Sequence, residues 1–514
     1  VERIDTHIST LFFAGGYVYK VKKAVQTPFL DFSTVRLRRH FCEEEVRLNR
    51  RLAPEVYLGV VAIQQRPSGE LCVAPTDSSD GSVVDYAVQM EELPREQMLD
   101  ARLQRAEIDN SDINALVQLL ADFHAAAACD GDVAQYGAPD AIRDIVLGNV
   151  EELEPSIQTG LLTAEMQEFL RRRATAFLDQ NEALLAARVR DGRIRDGHGD
   201  LHAANICVRE SDIVVYDCIE FTPRFRCGDV AADLAFLAMD LDYRQFRGFS
   251  RYFVRRYAQV VHDDALSKLV DFYKAHRALV RAKVVAMQQA ASTDVDDSRR
   301  LMRSAQQYVH LAASYAFPRT LILMCGLPGS GKSWAARALV RPFEAVHLAS
   351  DVVRKEFEQR AERTAVADCQ SRSQAEGATL DAGRYDVEQV ERVYQRLAQR
   401  AGAALDDHRS VVVDATFGIA RRRSQFVALA NERGVPVVIV HRTCDLDETT
   451  RRLAARATDP DEASEADLHV HELLASRFEA PMDSAQAPVV EVGDVATPED
   501  VARALFNRLI EAVS

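Results

Sequence analysis

The segment Gly326-Leu-Pro-Gly-Ser-Gly-Lys-Ser333 constrains the fold more than any other stretch of the sequence. It directly follows the apolar run Leu321-Ile-Leu-Met-Cys325 and precedes residues with helical spacing from Trp334 to Val340. The pattern GxxxxGK[ST] between a strand and a helix is typical of a loop whose backbone N–H groups surround phosphates. It therefore predicts a nucleotide-binding P-loop domain with a parallel sheet over residues 316–514.

Each residue type in this loop has an expected role. We expect Lys332 to contact the β and γ phosphates of ATP or GTP, and Ser333 to bind Mg²⁺. The other predicted nucleotide contacts are at Gly326, Gly329, Ser330 and Gly331.

Two acidic strand ends indicate further chemistry in this region. Asp351 follows the predicted strand Ala345–Leu348, and Arg354 follows one helical turn later. This pair is predicted to serve as base and anchor for a hydroxyl acceptor, with an N-capping Asp and a surface Arg as the alternative. Asp414 ends the apolar strand Ser410–Asp414 and suits magnesium or its water shell.

A second motif lies far upstream, in His198-Gly-Asp-Leu-His-Ala-Ala-Asn205 and Ile213-Val-Val-Tyr-Asp217. Asp200 precedes Asn205 by five residues, and Asp217 follows a β-branched run. This spacing is typical of an ATP-dependent phosphotransferase, in which the first Asp accepts the proton of the attacking hydroxyl. Asn205 and Asp217 are then the predicted magnesium ligands.

Residues 1–93 have the pattern of a kinase-like small lobe. Alternating residues on either side of Gly15-Gly16 predict a hairpin, and Arg38–Leu52 predicts a charged helix. Lys20 is the predicted phosphate-binding Lys, with Glu44 or Glu45 as its partner. A solvated edge strand beside a charged helix face is the alternative.

The strand Val83–Met90 leads to Glu91-Glu-Leu-Pro94, the predicted hinge, with a surface loop as the alternative. Residues 94–315 then predict a helical large lobe that carries the catalytic loop. Asp229 is expected to cap a helix, and Asp233 to have a structural role. The segment Ala291–Arg299 predicts a loop. A solvated or interlobe basic face is predicted for His276, Arg277, Arg281 and Lys283.

Composition narrows the possible partners. The chain has 514 residues, 47% of them hydrophobic, so it can bury several cores. A net charge of −15 argues against broad contact with nucleic acid or anionic membranes. Nine single cysteines and no run of 18 apolar residues favour a reducing, cytoplasmic location without membrane contact. The oligomeric state is not indicated.

These motifs resemble known families. Residues 198–205 and 217, with Tyr19–Lys23, Phe29–Ser33 and Cys42–Leu52, resemble the aminoglycoside phosphotransferase family, a branch of the protein-kinase-like fold. The chain looks like the branch in which this domain is fused to a P-loop ATPase. The C-terminal part is similar to P-loop kinases related to polynucleotide kinase, gluconate kinase and zeta toxin.

The resemblance implies an α+β bilobal domain followed by an α/β P-loop domain. It also implies lid arginines among Arg451, Arg452 and Arg456, of which Arg456 is the best placed, or else a solvent-facing basic helix. Residues 356–385 lie where such kinases have an acceptor-binding flap. No glycine-rich loop precedes Lys20, so that phosphate cover is absent, shortened, or upstream of Val1.

The leading hypothesis is a kinase with two sites, the first acting on a hydroxyl of a small molecule such as a sugar or an aminoglycoside. The P-loop domain would hydrolyse ATP or phosphorylate a second acceptor. One alternative is that one module only binds ATP and regulates the other. Another is that the P-loop module is a nucleic-acid end kinase.

Overall fold

The chain divides into two compact units, Val1–Ala316 and Phe317–Ser514. The structure, a computed structural model, describes residues 2–27, 30–76, 81–340, 343, 345–369, 387–407, 409–456, 468–484, 487–493, 504 and 510. The side chains of residues 360–369, 387, 455 and 456 lie outside this description. The sequence had predicted that the second unit begins at residue 316.

An antiparallel six-stranded sheet in the order β1-β2-β3-β8-β6-β7 forms the small lobe of the first unit. A separate two-stranded ladder joins β4 to β5. The strands are β1 (Glu2–Asp5), β2 (Ser9–Ala14), β3 (Tyr17–Lys22), β4 (Gln26–Thr27), β5 (Leu30–Asp31), β6 (Tyr57–Gln65), β7 (Leu71–Pro75) and β8 (Ser82–Glu91).

One helix, α1 (Val35–Asn49), packs on this sheet. It begins three residues before the predicted start because the hydroxyl of Thr34 accepts a hydrogen bond from the Leu37 N–H at 3.2 Å. Cys42 and Val46 of the helix share a buried cluster with Val18 of β3. This packing fixes the acidic residues of α1 against the strand that carries Lys20.

The large lobe is predominantly helical. Its helices are α2 (Leu99–Gln104), α3 (Asn110–Ala126), α4 (Gly131–Ala134), α5 (Pro139–Glu151), α6 (Pro155–Gln158), α7 (Ala164–Arg190), α8 (Pro223–Arg226), α9 (Val230–Tyr243), α10 (Arg247–Val261), α11 (Leu266–Ala291) and α12 (Val295–Ala316). Its short strands are β9 (Ile194–Asp196), β10 (Ile206–Val208), β11 (Ile213–Val215) and β12 (Cys227–Asp229). Most of α9 is buried, and its apolar residues join the catalytic-loop strands in one core.

The starts of two helices in this lobe can be compared with the predictions made from the sequence. The prediction that Asp229 caps a helix is confirmed, since its carboxylate accepts the Ala231 N–H at 2.9 Å. The prediction of a loop to Arg299 is wrong in its second half, because α12 already begins at Val295. Asp294 accepts the Asp297 N–H at 2.7 Å there, so the polar residues form a capped helix start.

The second unit contains a parallel sheet in the order β14-β15-β13-β16-β17. Its strands are β13 (Leu321–Cys325), β14 (Val346–Ala349), β15 (Val411–Asp414), β16 (Val437–Arg442) and β17 (Val489–Val492). Its helices are α13 (Lys332–Val340), α14 (Ser350–Cys369), α15 (Val387–Asp406), α16 (Ala420–Asn431), α17 (Leu446–Arg456) and α18 (Leu468–Ala475). All of β13 is fully buried, as expected of a parallel strand covered on both faces.

The two units therefore give the mixed α/β fold that the sequence predicted. The carboxyl ends of parallel strands meet at one sheet edge, which brings the P-loop and Asp414 together in the second unit. None of the helices in the described part of the chain combines the length and apolarity needed to cross a lipid bilayer.

Candidate active sites

The catalytic loop of the first unit brings Asp200 and Asn205 into contact. Asn205 lies in a short 3₁₀ turn, Ala203–Asn205, directly before β10. Its Nδ2 atom donates to the Asp200 carbonyl at 3.0 Å and to Asp200 Oδ2 at 3.2 Å. The five-residue spacing in the sequence thus becomes a direct pairing of the predicted base with a predicted metal ligand.

Two buried side chains hold the backbone of this loop. Asp233 accepts the N–H groups of His198 at 2.7 Å and Gly199 at 2.8 Å. Arg277 donates to the Gly199 carbonyl at 3.1 Å, and its guanidinium lies 5.0 Å from the Phe236 ring centroid. The structural role predicted for Asp233 agrees with this geometry.

The basic face predicted on α11 is corrected. His276 and Arg277 are 8% and 9% exposed, so a solvated face is wrong for these two residues. Arg277 is buried because carbonyl oxygens and the Phe236 ring satisfy its guanidinium. Sequence spacing alone does not distinguish such a brace from a charged surface.

The Asp200 carboxyl is held in its ionised form. Burial works to raise its pKa, but His202, Arg281 and His198 together lower it well below its ordinary value. His202 Nε2 lies 3.5 Å from Asp200 Oδ2. Asp200 is therefore an anion at neutral pH and can accept a hydrogen bond from a hydroxyl group.

Lys20 joins the small lobe to the strand-end aspartate. Its Nζ lies 2.8 Å from Glu45 Oε1 and 2.6 Å from Asp217 Oδ1. Glu44, the alternative partner, instead pairs with Arg47 on the outer face of α1 at 2.7 Å. Burial would lower the pKa of Lys20, but Asp217 and Glu45 raise it well above its ordinary value.

The backbone of Asp217 adopts a left-handed conformation, with a φ of 64°. Its N–H donates to the Tyr57 hydroxyl at 3.2 Å, and its side chain is 42% exposed. Asp tolerates this region better than most residues, yet the conformation still has to be supported by its surroundings. It turns the carboxylate out of the core towards the cleft, a feature that the strand pattern did not predict.

These groups line one cavity of about 1530 Å³ in the first unit. It is lined by Lys20, Asp200, Asn205 and Asp217, and by Met90 at the end of β8. The turn Thr6–Ser9 between β1 and β2 also lines it. The sequence contains no glycine-rich loop before Lys20 that could cover the phosphates. Among the described residues, this short turn forms part of the cleft wall instead.

The P-loop of the second unit depends on glycine at three positions. Gly326, Gly329 and Gly331 have φ values of 147°, 83° and 87°. A Cβ on Gly326 would lie 2.4 Å from the Arg442 carbonyl oxygen, and one on Gly329 would lie 2.8 Å from Thr449 Cγ2. The loop is thus both left-handed and closely packed, the arrangement that surrounds phosphate with backbone N–H groups.

The remaining P-loop residues lie beside Asp414. Lys332 Nζ donates to the Leu327 carbonyl at 2.9 Å, and the Ser330 side chain is 4% exposed. Burial works to raise the pKa of Asp414, but His347, Lys332 and Ser333 lower it. The anionic Asp414 and the Ser333 hydroxyl are therefore the oxygen groups that could bind Mg²⁺ here.

Asp351 and Arg354 lie in the first turn of α14. Arg354 Nη2 is 2.9 Å from Asp351 Oδ1, and the two side chains are 19% and 27% exposed. Asp351 is the second residue of the helix, so it is not the N-cap that the alternative reading required. The two side chains therefore form an ion pair with each other at the carboxyl end of β14.

Two arginines approach the P-loop: Arg452 is one of the three predicted lid arginines, and Arg442 was not singled out in the sequence. Arg442 Nε and Arg452 Nη1 lie 3.4 Å and 3.2 Å from the position of a Cβ on Gly331. Arg456 ends α17, and its side chain lies outside the described residues. Residues 370–385 of the predicted flap also lie outside them. The 3.6-residue period of a helix could have favoured Arg452 as a lid residue, because it lies one turn before Arg456.

Family comparisons match both units. Residues 20–272 match the phosphotransferase enzyme family, and residues 321–481 match the AAA domain. An uncharacterized protein of Mycobacterium tuberculosis strain H37Rv is 29% identical over 456 residues, which cover 88% of this chain and 86% of that protein. An uncharacterized protein of Mycobacterium bovis matches with the same identity and coverage.

Solved structures match single parts of the chain. A choline/ethanolamine kinase family protein from Mesorhizobium loti is 13% identical, covers 60% of this chain and 87% of that structure, and has a TM-score of 0.36. The APS kinase of Mycobacterium tuberculosis is 19% identical, with coverages of 37% and 98% and a TM-score of 0.26. The family matches place a phosphotransferase domain before a P-loop kinase-like AAA domain, and the chain is therefore an ATP-dependent phosphotransferase with two kinase-like domains.

Proposed function

We propose that the first unit transfers the γ-phosphoryl group of ATP to a hydroxyl group of a small, uncharged polyhydroxy compound such as a sugar. The observation that carries this proposal is the meeting of two groups in one cleft. The first is the Asp200–Asn205 pair, and the second is Lys20 with Glu45 and Asp217.

Each side chain has a separate role in the phosphoryl transfer. Asp200 accepts the proton of the attacking hydroxyl, and Lys20, held by Glu45, binds the phosphates. Asn205 and Asp217 supply oxygen atoms that suit Mg²⁺, which, when bound, neutralises charge on the phosphates. The turn Thr6–Ser9 covers the phosphates, where Thr6 Oγ1 donates to the Ser9 carbonyl at 2.9 Å and keeps the turn tight.

Three neutral residues of the large-lobe lining favour an uncharged acceptor, although Asp144 and Glu152 line the same cavity. Burial lowers the pKa of His276 to about 3, so its ring is neutral. Asn149 donates to the His276 carbonyl at 3.2 Å, while its own Oδ1 and the Tyr273 hydroxyl have no hydrogen-bond partner among the described residues. All three residues line the cavity with Asp200. Neutral donors and acceptors suit hydroxyl groups better than the ammonium groups of an aminoglycoside.

For the second unit, we propose phosphoryl transfer to a separate hydroxyl acceptor. Lys332 and the P-loop backbone bind the phosphates, and Asp414 with Ser333 binds Mg²⁺. Asp351 is the base, and Arg354 leaves its contact with Asp351 to bind the acceptor. Arg452 approaches Gly331 and is a better candidate for the phosphate lid than a residue further along α17.

An acceptor screen tests the first site. Lys332→Ala removes phosphate binding by the second unit, so stimulated ADP release in this variant reports the first unit. We expect stimulation by neutral sugars or sugar alcohols and its loss in Lys332→Ala/Asp200→Asn. Stimulation by aminoglycosides alone, or by 5′-hydroxyl oligonucleotides at low salt, would contradict the proposed acceptor.

A further inference from the structure

A second lysine lies behind the phosphate-binding lysine. Lys22 follows Lys20 by two residues on β3, so both side chains point to the same face of the sheet. The Lys22 side chain is 0% exposed, its Nζ lies 2.7 Å from Glu45 Oε2, and it also contacts Glu220 Oε1. One carboxylate therefore holds a different lysine on each oxygen.

Three carboxyl groups face two lysines in this cluster. Lys20 and Lys22 face the carboxylates of Glu45, Asp217 and Glu220. Burial works to raise the pKa of Glu45, but the two lysines lower it to about 2. When Lys20 turns from Asp217 to bind phosphate, Lys22 still pairs with both Glu45 and Glu220. An unpaired buried carboxylate would otherwise be costly.

Besides the Lys20–Asp217 pair and the contact of Arg51 with Cys218 Sγ, three contacts attach residues 217–220 to the small lobe. The Tyr57 hydroxyl accepts the Asp217 N–H at 3.2 Å, and Asn49 Oδ1 accepts the Cys218 N–H at 2.8 Å. Lys22 holds the side chain of Glu220, which is 8% exposed. The first two contacts fix backbone groups, while the third is the only one of the three that joins two charges.

We propose that Lys22 and Glu220 are positioning residues: their buried ion pair keeps the Asp217 carboxylate turned into the cleft for a divalent cation and keeps Glu45 oriented towards Lys20. This inference rests on the proposed active site of the first unit. Lys22 and Glu220 act through Asp217 and Glu45 and do not touch the reacting groups.

The test uses the full chain with Lys332→Ala and measures Mn²⁺ binding by electron paramagnetic resonance with a non-hydrolysable ATP analogue present. The variant Lys22→Met/Glu220→Gln removes both charges and so leaves neither partner of this pair as an uncompensated charge. We expect Mn²⁺ affinity to fall about tenfold, because residues that orient metal ligands typically have effects of this size. The thermal unfolding temperature should stay close to that of the parent.

Glu168→Gln/Arg171→Met is the matched control, since it removes an exposed ion pair of the same unit whose side chains are 47% and 45% exposed. We expect no change in its Mn²⁺ affinity. Should the double variant unfold, Glu220→Gln alone keeps an amide oxygen for Lys22 and is expected to weaken binding by a smaller factor.

Unchanged Mn²⁺ affinity in a folded Glu220→Gln or double variant overturns the inference. Failure of the proposed function has a different signature. In that case no hydroxyl acceptor would stimulate ADP release by the parent, while Mn²⁺ binding would still depend on Lys22 and Glu220.

Discussion

At the scale of single residues, sequence spacing predicted phosphotransferase chemistry but not the contacts that hold its residues in place. The order of Asp200, Asn205 and Asp217 followed from a known phosphotransferase pattern, and the structure places all three in one cleft. The left-handed backbone of Asp217 and the contact of Lys22 with Glu220 required coordinates. Pairs separated by almost two hundred residues leave no local periodicity to detect.

Two replacements of Asp217 distinguish the effect of its charge on turnover from the effect of its backbone conformation on stability. Asp217→Asn keeps a residue type that tolerates positive φ but weakens a metal ligand, so turnover in the Lys332→Ala chain should fall about 100-fold with little loss of stability. Asp217→Ala should also lose about 1 kcal/mol of unfolding free energy. ADP release and urea unfolding measure the two effects. Equal stability of both variants would contradict the strain argument.

The neutral, buried His276 gives a pH dependence with a defined sign. Its pKa is about 3 in the folded chain, against about 6.5 when unfolded, so acid favours proton uptake by the unfolded state. Stability present above pH 6.5 is therefore lost as the pH falls towards 3. Between pH 7 and pH 5 this residue should account for a loss of about 2 kcal/mol.

His276→Gln has no titrating ring, so its unfolding free energy should fall by about 2 kcal/mol less than that of the unaltered chain over the same pH range. Urea unfolding at pH 7, 6 and 5 measures the difference. Parallel losses in the two proteins would mean that His276 is protonated in the folded state.

At the scale of elements, periodicity predicted the helices and the P-loop strand well, whereas helix starts depended on single caps. Thr34 and Asp294 moved the starts of α1 and α12 ahead of the apolar pattern. The β1–β2 turn, which lines the cleft where we propose a phosphate cover, was not predicted because it lacks glycine. For the lid, the pattern favoured Arg456 over Arg451 and Arg452, which lie on the same charged helix.

Two glycines of the second unit distinguish backbone strain from steric clash. Gly326 and Gly434 both have positive φ, but only the added Cβ of Gly326 would meet a backbone oxygen, 2.4 Å away. In the Asp200→Asn chain, Gly326→Ala should reduce ADP release at least about tenfold. Gly434→Ala should cost about 1 kcal/mol of stability and leave the rate unchanged. Equal rates for both variants would contradict the P-loop geometry.

At the scale of the whole molecule, two nucleotide motifs predicted two units, and the chain divides at Ala316 and Phe317. The acceptors were not predictable, because they depend on the pocket lining rather than on the catalytic motifs. Neutral His276 beside Asn149 is an example, since its charge state follows from burial. The central claim is that each unit has its own phosphotransferase site.

ADP release by the full chain and by its Asp200→Asn, Lys332→Ala and doubly substituted forms tests this claim most directly. Two independent sites predict that each single variant keeps the residual rate of the intact unit, that the two residual rates sum to the original rate, and that the double variant loses both. Loss of all turnover in one single variant would contradict the account and indicate that one module only regulates the other.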